Sequence, residues 1–386
     1  MNFLFLETLG YESALRVSGH HYARLIARRG HRALSLSAPV TPFHRFARAQ
    51  RETVRRRFEH HRWGFIAAGG GVHHYVPWTF LPLRNVYPLN QPWALRLAAR
   101  GWLPDVEARL RRMRFTPDVI SLQQLAFYPL LRRWPGAIVH YRMTDLMAGF
   151  VDLPASFHKI EDRLLEEADL ISITSRQFMR RVGEHRAAKT LYAPNGVDLE
   201  HFARPHPRPS AFGPPGRPIV LYVGALRAWF DGELLRATMR ALPKAAFFVV
   251  SPDRPPAEIA AEPNFHHVPG VDYEALPGYY QHALVTIIPF RDAPLVAPVN
   301  PIKLFESLAA GTPVVAVAWR ELKEIHAPIG LAGGAEDFIA AVAEAVDRPK
   351  RVEAGEFLRG YSWEANVEAL LERIGAIQKA RSEAAS

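Results

Sequence analysis

The chain has 386 residues, 48% hydrophobic and 22% charged, with no cysteine. That length suits two or three globular domains of roughly 150 residues each, and the composition excludes a wholly disordered chain, disulfides, thiolate metal sites and cysteine nucleophiles. Forty-eight Lys and Arg against 38 Asp and Glu give a net charge of +10, and the excess is all in front: residues 1–190 carry +14 and the remainder −4, so an anionic partner is expected for the N-terminal half.

In chain order, Phe3–Leu6 reads as a buried strand and Glu7–Ser13 as a loop. Ala14–Arg29 has helical spacing with Gly30 as its stop. Short apolar runs follow at Ala33–Leu36, Val119–Leu122, Ile138–His140 and Leu170–Thr174. Such strand–helix alternation predicts a parallel α/β sheet. Residues 204–218 hold six prolines in fifteen positions, which neither a helix nor a central strand accommodates. The alternation then restarts with strands at Ile219–Val223, Ala246–Ser251, Leu284–Pro289 and Val314–Ala318, and helices at Gly232–Ala241, around Tyr279–His282 and at Pro301–Ala310. An amphipathic helix over Trp363–Lys379 closes the chain. The expected division is an N-terminal Rossmann-like domain over 1–203, a Pro-rich linker over 204–217 and a second Rossmann-like domain over 218–362, with ligands at the carboxyl ends of the strands, in a cleft between the two.

No apolar run reaches the ~18 residues of a membrane-spanning helix, and Met1–Glu7 lacks the basic start of a signal peptide. A cytoplasmic protein that rests on a membrane without crossing it is the expectation. Residues 43–63 alternate Phe46, Val54 and Phe58 with Arg48, Arg51, Arg55 and Arg62, and Tyr75, Trp78, Phe80, Tyr87 and Trp93 follow beside Arg84. Arginines among aromatics suit a lipid headgroup interface; a solvated basic face is the plainer account, and no nucleic-acid motif accompanies the charge.

Glycine-rich dinucleotide and P-loop signatures are absent, as is any Asp-x-Asp pair, so no metal cofactor is expected. The doublets His20-His21, His60-His61, His73-His74 and His266-His267 place neighbours on different sides and lack metal-ligand spacing. The informative segment is Asn300-Pro-Ile-Lys-Leu-Phe-Glu306. Asn300 suits an N-cap and Pro301 the first helical position, so the amides behind them form an anion site. Lys303 in the first turn opposes the helix dipole unless an anion such as a diphosphate neutralises both. Glu306, on the same side, suits a ribose hydroxyl, or simply an ion pair with Lys303. Gly224 ends a strand where a phosphate or sugar approaches backbone. Arg227 and Arg291 follow strands of the second domain and are candidates to pair with a sugar carboxylate. In the first domain Asp145 follows Ile138-Val-His-Tyr-Arg-Met-Thr, where a carboxylate can take a proton from a hydroxyl or cap a helix. Arg142, Tyr11, Glu12 and Ser13 are acceptor-side candidates, with Glu12 the rival base.

These motifs together resemble the GT-B glycosyltransferases. Asn195-Gly196-Val197-Asp198 is similar to a turn at the interdomain crossing of that fold, and Asn300–Glu306 with Ala309-Ala-Gly-Thr-Pro-Val-Val315 is similar to its donor-phosphate helix and next strand. The paired-glutamate donor motif of the large retaining group is incomplete, since Pro298 stands eight residues before Glu306. Tyr141-Arg-Met-Thr-Asp145 resembles a Tyr-Arg-Ala-Ser-Asp segment of the GumK group of bacterial glucuronosyltransferases. The resemblance implies that Asp145 is the catalytic base and Lys303 a phosphate ligand; Glu306 stands where the group has glutamine. It further implies an inverting, metal-independent enzyme peripheral to the inner face of the cell membrane. Such an enzyme moves glucuronic acid from UDP-glucuronic acid, or another UDP-sugar, to a polyprenyl-diphosphate-linked or other lipid-linked saccharide in exopolysaccharide synthesis. The terminal helix, 363–386, is expected to pack back on the first domain. A retaining transferase using another UDP- or GDP-sugar, a sugar-nucleotide epimerase of the same fold and a non-enzymatic binder of anionic surfaces are the alternatives.

Overall fold

The computed structural model describes residues 1–386 except 12, 14, 15, 47–50, 83, 84, 146–153, 155 and 386. Glu12, Arg48 and Arg84 are therefore outside the described residues, as are the side chains of Phe46 and Arg51. The chain divides into two compact units, residues 1–193 with 367–386, and residues 194–366.

The first unit is built on β1 (Asn2–Glu7), β2 (Arg32–Ser37), β3 (Ile66–Ala67), β4 (Val72–Tyr75), β5 (Val119–Leu122), β6 (Ile138–Met143), β7 (Leu170–Ile173) and β8 (Thr190–Tyr192). They lie in the order β3-β4-β2-β1-β5-β6-β7-β8, parallel except for β3. Alternation along each strand gives the sheet two chemically different faces. Leu4, Leu6, Leu34, Leu36, Ile120, Leu122, Ile171 and Ile173 join one core with Trp102, Phe127 and Leu164. The opposite face carries Phe3 and Phe5 but also buried Ser35, Ser121, His140 and Arg142. The helix Ser18–Arg28 packs beside β1 and β2, and Gly30, at φ +83°, closes it by donating to the Ala27 carbonyl at 3.0 Å. That helix starts four residues later than the spacing predicts.

The second unit has a wholly parallel sheet of β9 (Ile219–Val223), β10 (Ala246–Val250), β11 (Phe265–Val268), β12 (Val285–Ile288), β13 (Val314–Val317) and β14 (Gly330–Ala332), in the order β11-β10-β9-β12-β13-β14. The edge strands β11 and β14 carry weak signals: His266 and His267 interrupt one, and the other is three residues long. Asp231 caps the helix Gly232–Ala241, accepting from the Leu234 amide at 3.1 Å.

The Pro-rich stretch 204–217 is packed on the second unit. The His206 amide donates to Gln281 Oε1 at 2.8 Å. Phe212 is 6% exposed, its ring 4.6 Å from Phe248 and 5.2 Å from Tyr279. The chain crosses between units at 193–194 and 366–367 instead. Proline removes helix and ladder bonding without preventing a buried aromatic from anchoring the segment. The terminal helix, Trp363–Ala385, starts in the second unit; its later part bonds within the first, Arg381 reaching the Gly136 carbonyl at 3.0 Å and Asp169 at 2.6 Å. Phe212→Ala should destabilise the second unit by about 3–5 kcal/mol in denaturant unfolding; a change within about 0.5 kcal/mol, as at an unpacked surface position, would show the segment to be a free linker.

Candidate functional site

The order of the second sheet reverses between β9 and β12, the crevice where such sheets bind ligands. Lys303 stands there. Its Nζ lies 4.4 Å from the ring centre of Tyr222, on β9, and 4.7 Å from that of Phe290, just after β12. It donates to Tyr222 Oη at 3.4 Å, and that hydroxyl donates to the Ala225 carbonyl at 2.9 Å. Gly224 makes the room: a Cβ there would lie 2.5 Å from Lys303 Nζ, and its φ of +142° is one that glycine tolerates. Among the described residues Lys303 forms no ion pair. Its side chain keeps a window to solvent, while the surrounding protein lowers its pKa from 10.5 to about 7, against the pull of Glu306.

Glu306 points inward instead. Its Oε2 accepts from Tyr280 Oη at 2.9 Å, and burial raises the carboxyl to about 7 against the lowering effects of that bond and of Lys303. The neighbouring cation is left without a close acid, next to the first turn of the helix Ile302–Ala309. A positive side chain and a glycine thus lie together at the start of a helix, which suits an anion with several oxygens.

Asn300 does not cap that helix; Pro301 holds the cap position without a side-chain bond. Asn300 accepts twice from Asn195: its Oδ1 accepts from the Asn195 amide at 3.0 Å, and its carbonyl from Asn195 Nδ2 at 2.7 Å. Its own Nδ2 donates to Glu321 Oε1 at 3.3 Å. At Gly196 a Cβ would meet the backbone of Ser362 and Trp363 at 2.8 Å, and Asp198 caps the helix Leu199–Ala203. The Asn-Gly-Val-Asp segment thus anchors the helix that carries Lys303.

Arg227 is taken: its Nε and Nη2 grip the Asp253 carboxylate at 2.9 and 2.8 Å. Arg291 is exposed and its Nε donates only to the Phe230 carbonyl, at 3.2 Å. Among the described residues no acid pairs with it.

In the first unit Asp145 follows β6. It is solvent-facing, and its Oδ2 accepts from Thr144 Oγ1 at 2.8 Å, which in turn accepts from Gln123 Nε2 at 2.8 Å. Protein packed around it raises the carboxyl above its ordinary value while the Thr144 bond pulls it down. Residues 146–153, where a helix capped by it would begin, lie outside the described residues. Tyr11 is packed on His20, rings 4.3 Å apart, its hydroxyl donating to the His20 carbonyl at 3.3 Å; Ser13 closes a turn through its amide to the Gly10 carbonyl. Arg142 is 3% exposed and bonds Ser18 and Tyr22. Tyr222, Phe290 and Tyr280 carry no motif of their own, and only their neighbours in space reveal them. Among the described residues no group of three His, Asp or Glu is arranged to hold a metal ion.

Residues 217–348, within the second unit, match the sequence profile of the family described as Glycosyl transferases group 1. Solved structures align over nearly the whole chain: sucrose-phosphate synthase from Thermosynechococcus elongatus (TM-score 0.65, 18% identity, 100% of both chains) and Anabaena HepE in complex with UDP (TM-score 0.59, 13% identity, 97% of this chain and 100% of that one). The fold is GT-B. A curated relative, the putative teichuronic acid biosynthesis glycosyltransferase TuaH of Bacillus subtilis (strain 168), is 29% identical over 210 residues, 49% of this chain and 52% of that protein. The chain thus spans about half the length of the curated relative it matches. In this GT-B chain the half-buried ammonium sets a pH dependence. Between about 7 and 10.5 the unfolded chain keeps a Lys303 proton that the folded chain has released, so the group's contribution to stability rises with pH across that window. Lys303→Met removes the cost of holding the charge. It should raise stability by about 2 kcal/mol at pH values of about 6, allowing for solvent, and progressively less toward pH 10; equal increments across the range would contradict the shift.

Proposed function

We propose that the protein is an inverting, metal-independent glycosyltransferase that moves a sugar from a UDP-sugar to a lipid-linked saccharide at a membrane surface. The observation that carries this reading is Lys303, held at the switch point between β9 and β12 with no ion pair among the described residues and a glycine opened beside it. The profile match over 217–348 and the UDP carried by a structure of the same fold support a nucleotide-sugar there. In the proposed step the acceptor hydroxyl attacks the anomeric carbon and gives its proton to Asp145. The bond from that carbon to the diphosphate breaks, and UDP leaves with the electron pair. Lys303 and the adjacent helix amides stabilise the charge that grows on the diphosphate.

The membrane reading draws on the surface of the first unit. Among the described residues the large apolar side chains left exposed are Phe43, Trp63, Phe80, Val86, Tyr87, Trp93 and Leu97, with Leu331 apart. Arg55, Arg56 and Arg62 are exposed on the helix Arg51–Trp63. No helix among the described residues is long and apolar enough to cross a membrane. Exposed aromatics beside arginines suit the headgroup layer, where rings bury and guanidinium groups meet phosphate.

Glucuronic acid is the proposed sugar, by the resemblance of Tyr141–Asp145 and by TuaH's assignment to teichuronic acid biosynthesis. Of the two candidate arginines, Arg291 suits the uronate, because Arg227 already holds Asp253. Transfer from a panel of UDP-sugars to lipid extracts, with product analysis, tests the reading. Asp145→Asn should lower transfer by about 10²–10⁴-fold while UDP affinity changes little; full activity would remove Asp145 as the base. Arg291→Ala should lower kcat/KM for UDP-glucuronate by roughly tenfold or more and leave UDP-glucose nearly unaffected; a wild-type preference for UDP-glucose would discard the uronate.

A further inference from the structure

The first sheet has a polar layer on the face toward the helix Ser18–Arg28, arranged in two rows. The inner row closes on itself. His140 Nδ1 lies 3.0 Å from Ser121 Oγ and His140 Nε2 lies 2.7 Å from Ser172 Oγ, so both ring nitrogens are satisfied. Burial, helped by the charge of Arg142, lowers that imidazole to about 3 and keeps it neutral.

The outer row lies one step nearer the carboxyl ends and contains Ser37, Glu7, Gln123, Arg142 and Ser172, the last already spent on His140. Ser37 pairs with Glu7 in register, and Gln123 follows Leu122, whose partners are Leu6 and Tyr141. This row does not close. Ser37 Oγ, Glu7 Oε2, Gln123 Oε1 and Arg142 Nη2 have no hydrogen-bond partner among the described residues. Yet Ser37, Glu7 and Arg142 are 0%, 2% and 3% exposed. Leaving such groups unpaired costs stability, and more where charge is involved. Glu7 ends β1 and Gln123 directly follows β5, the two strands between which the order of this sheet reverses.

The carboxyl has a built seat. At Gly19 a Cβ would lie 2.1 Å from Glu7 Cδ and 2.2 Å from each of its oxygens. Ser18, the residue before, accepts from Arg142 Nε at 3.1 Å, and Arg142 Nη1 donates to Tyr22 Oη at 2.9 Å. Carboxyl and guanidinium therefore rest on consecutive residues of one helical turn. All the side-chain and backbone partners of Arg142 are neutral, and its Nη2 remains free among the described residues. Burial raises Glu7 to about 7, against the pull of Arg142, so both of its protonation states are accessible near neutrality.

A hydroxyl complements this arrangement. It accepts from Arg142 Nη2, and it pairs with Glu7 in either protonation state because it both donates and accepts. A phosphate satisfies the arginine but opposes an ionised Glu7, and an apolar group satisfies neither. We propose that Glu7 and Arg142 form a subsite for ring hydroxyls of the acceptor saccharide, with Gly19 seating the carboxyl. Gln123 joins this subsite to the candidate base, through Thr144 to Asp145. Glu7 acts there as a positioning residue. The inference rests on reading the first unit as the acceptor-binding one, but it has a test that needs no turnover.

The full chain is labelled with carboxyl-13C glutamate, and the Glu7 resonance is assigned by its loss in Glu7→Gln. Methyl glycosides of glucose, galactose, N-acetylglucosamine and glucuronic acid, and sodium phosphate as a control, are then titrated in. At least one glycoside should shift the Glu7 resonance, and Gly19→Ala or Arg142→Lys should weaken that response by roughly fivefold or more. A resonance moved by phosphate alone, or by none of the probes, would overturn the subsite and leave a row satisfied by solvent only. In a transfer assay Glu7→Gln should raise the acceptor KM by about tenfold with the UDP-sugar KM and kcat within about twofold; an unchanged acceptor KM also overturns it. A wild-type protein that transfers no sugar would sink the functional reading alone, since the glycoside titration still decides the subsite.

Discussion

Parallel strand order is the constraint from which the sites follow. Strands that run the same way bring all their carboxyl ends to one edge, and the loops at that edge are where side chains can meet without belonging to a hydrophobic layer. In the second sheet this puts Tyr222 and Phe290 on either side of one ammonium. In the first it puts Glu7, Gln123 and Arg142 in one row. Each place combines charge with low exposure and lacks a close ion partner among the described residues. Such an arrangement costs stability in the free protein, and a bound polar group offsets that cost.

Both places use glycine in the same way. Gly224 leaves space for the Lys303 ammonium and Gly19 for the Glu7 carboxyl; a methyl group at either would fall within 2.5 Å of the charged group. The conformational reasons differ. Gly224 also adopts a φ of +142°, whereas Gly19 lies in a helix and matters only for the absent side chain. The polar pairings around them are similarly divided. Tyr280 draws Glu306 inward, and so Lys303 keeps its charge for something else. Ser121 and Ser172 satisfy His140, and so Arg142, one step along the strand, is not held by it.

Much of this was legible in the residues. The break at Gly30 and most strands of both sheets follow from periodicity and glycine alone, because a backbone signal depends on near neighbours in sequence. Lys303 stood out because a cation opposes the dipole of a helix start. What periodicity misses is weak or local evidence overruled by packing: the short β14, the histidine-broken β11, and Phe212, whose ring anchors a stretch that prolines alone mark as a linker.

The α/β class, the two-part layout, the confinement of positive charge to the first half and the place of the Lys303 helix follow from composition or from spacing along the chain. How each polar side chain is spent depends on contacts made in the folded chain. Asn300 pairs with Asn195 rather than capping its helix, Arg227 holds Asp253 while Arg291 meets no acid among the described residues, and Glu7 closes a strand that reads as plain apolar core. The physical reason is that a hydrogen bond or a burial cost is fixed by what stands opposite in space, and in these cases the partner is tens of residues away or absent.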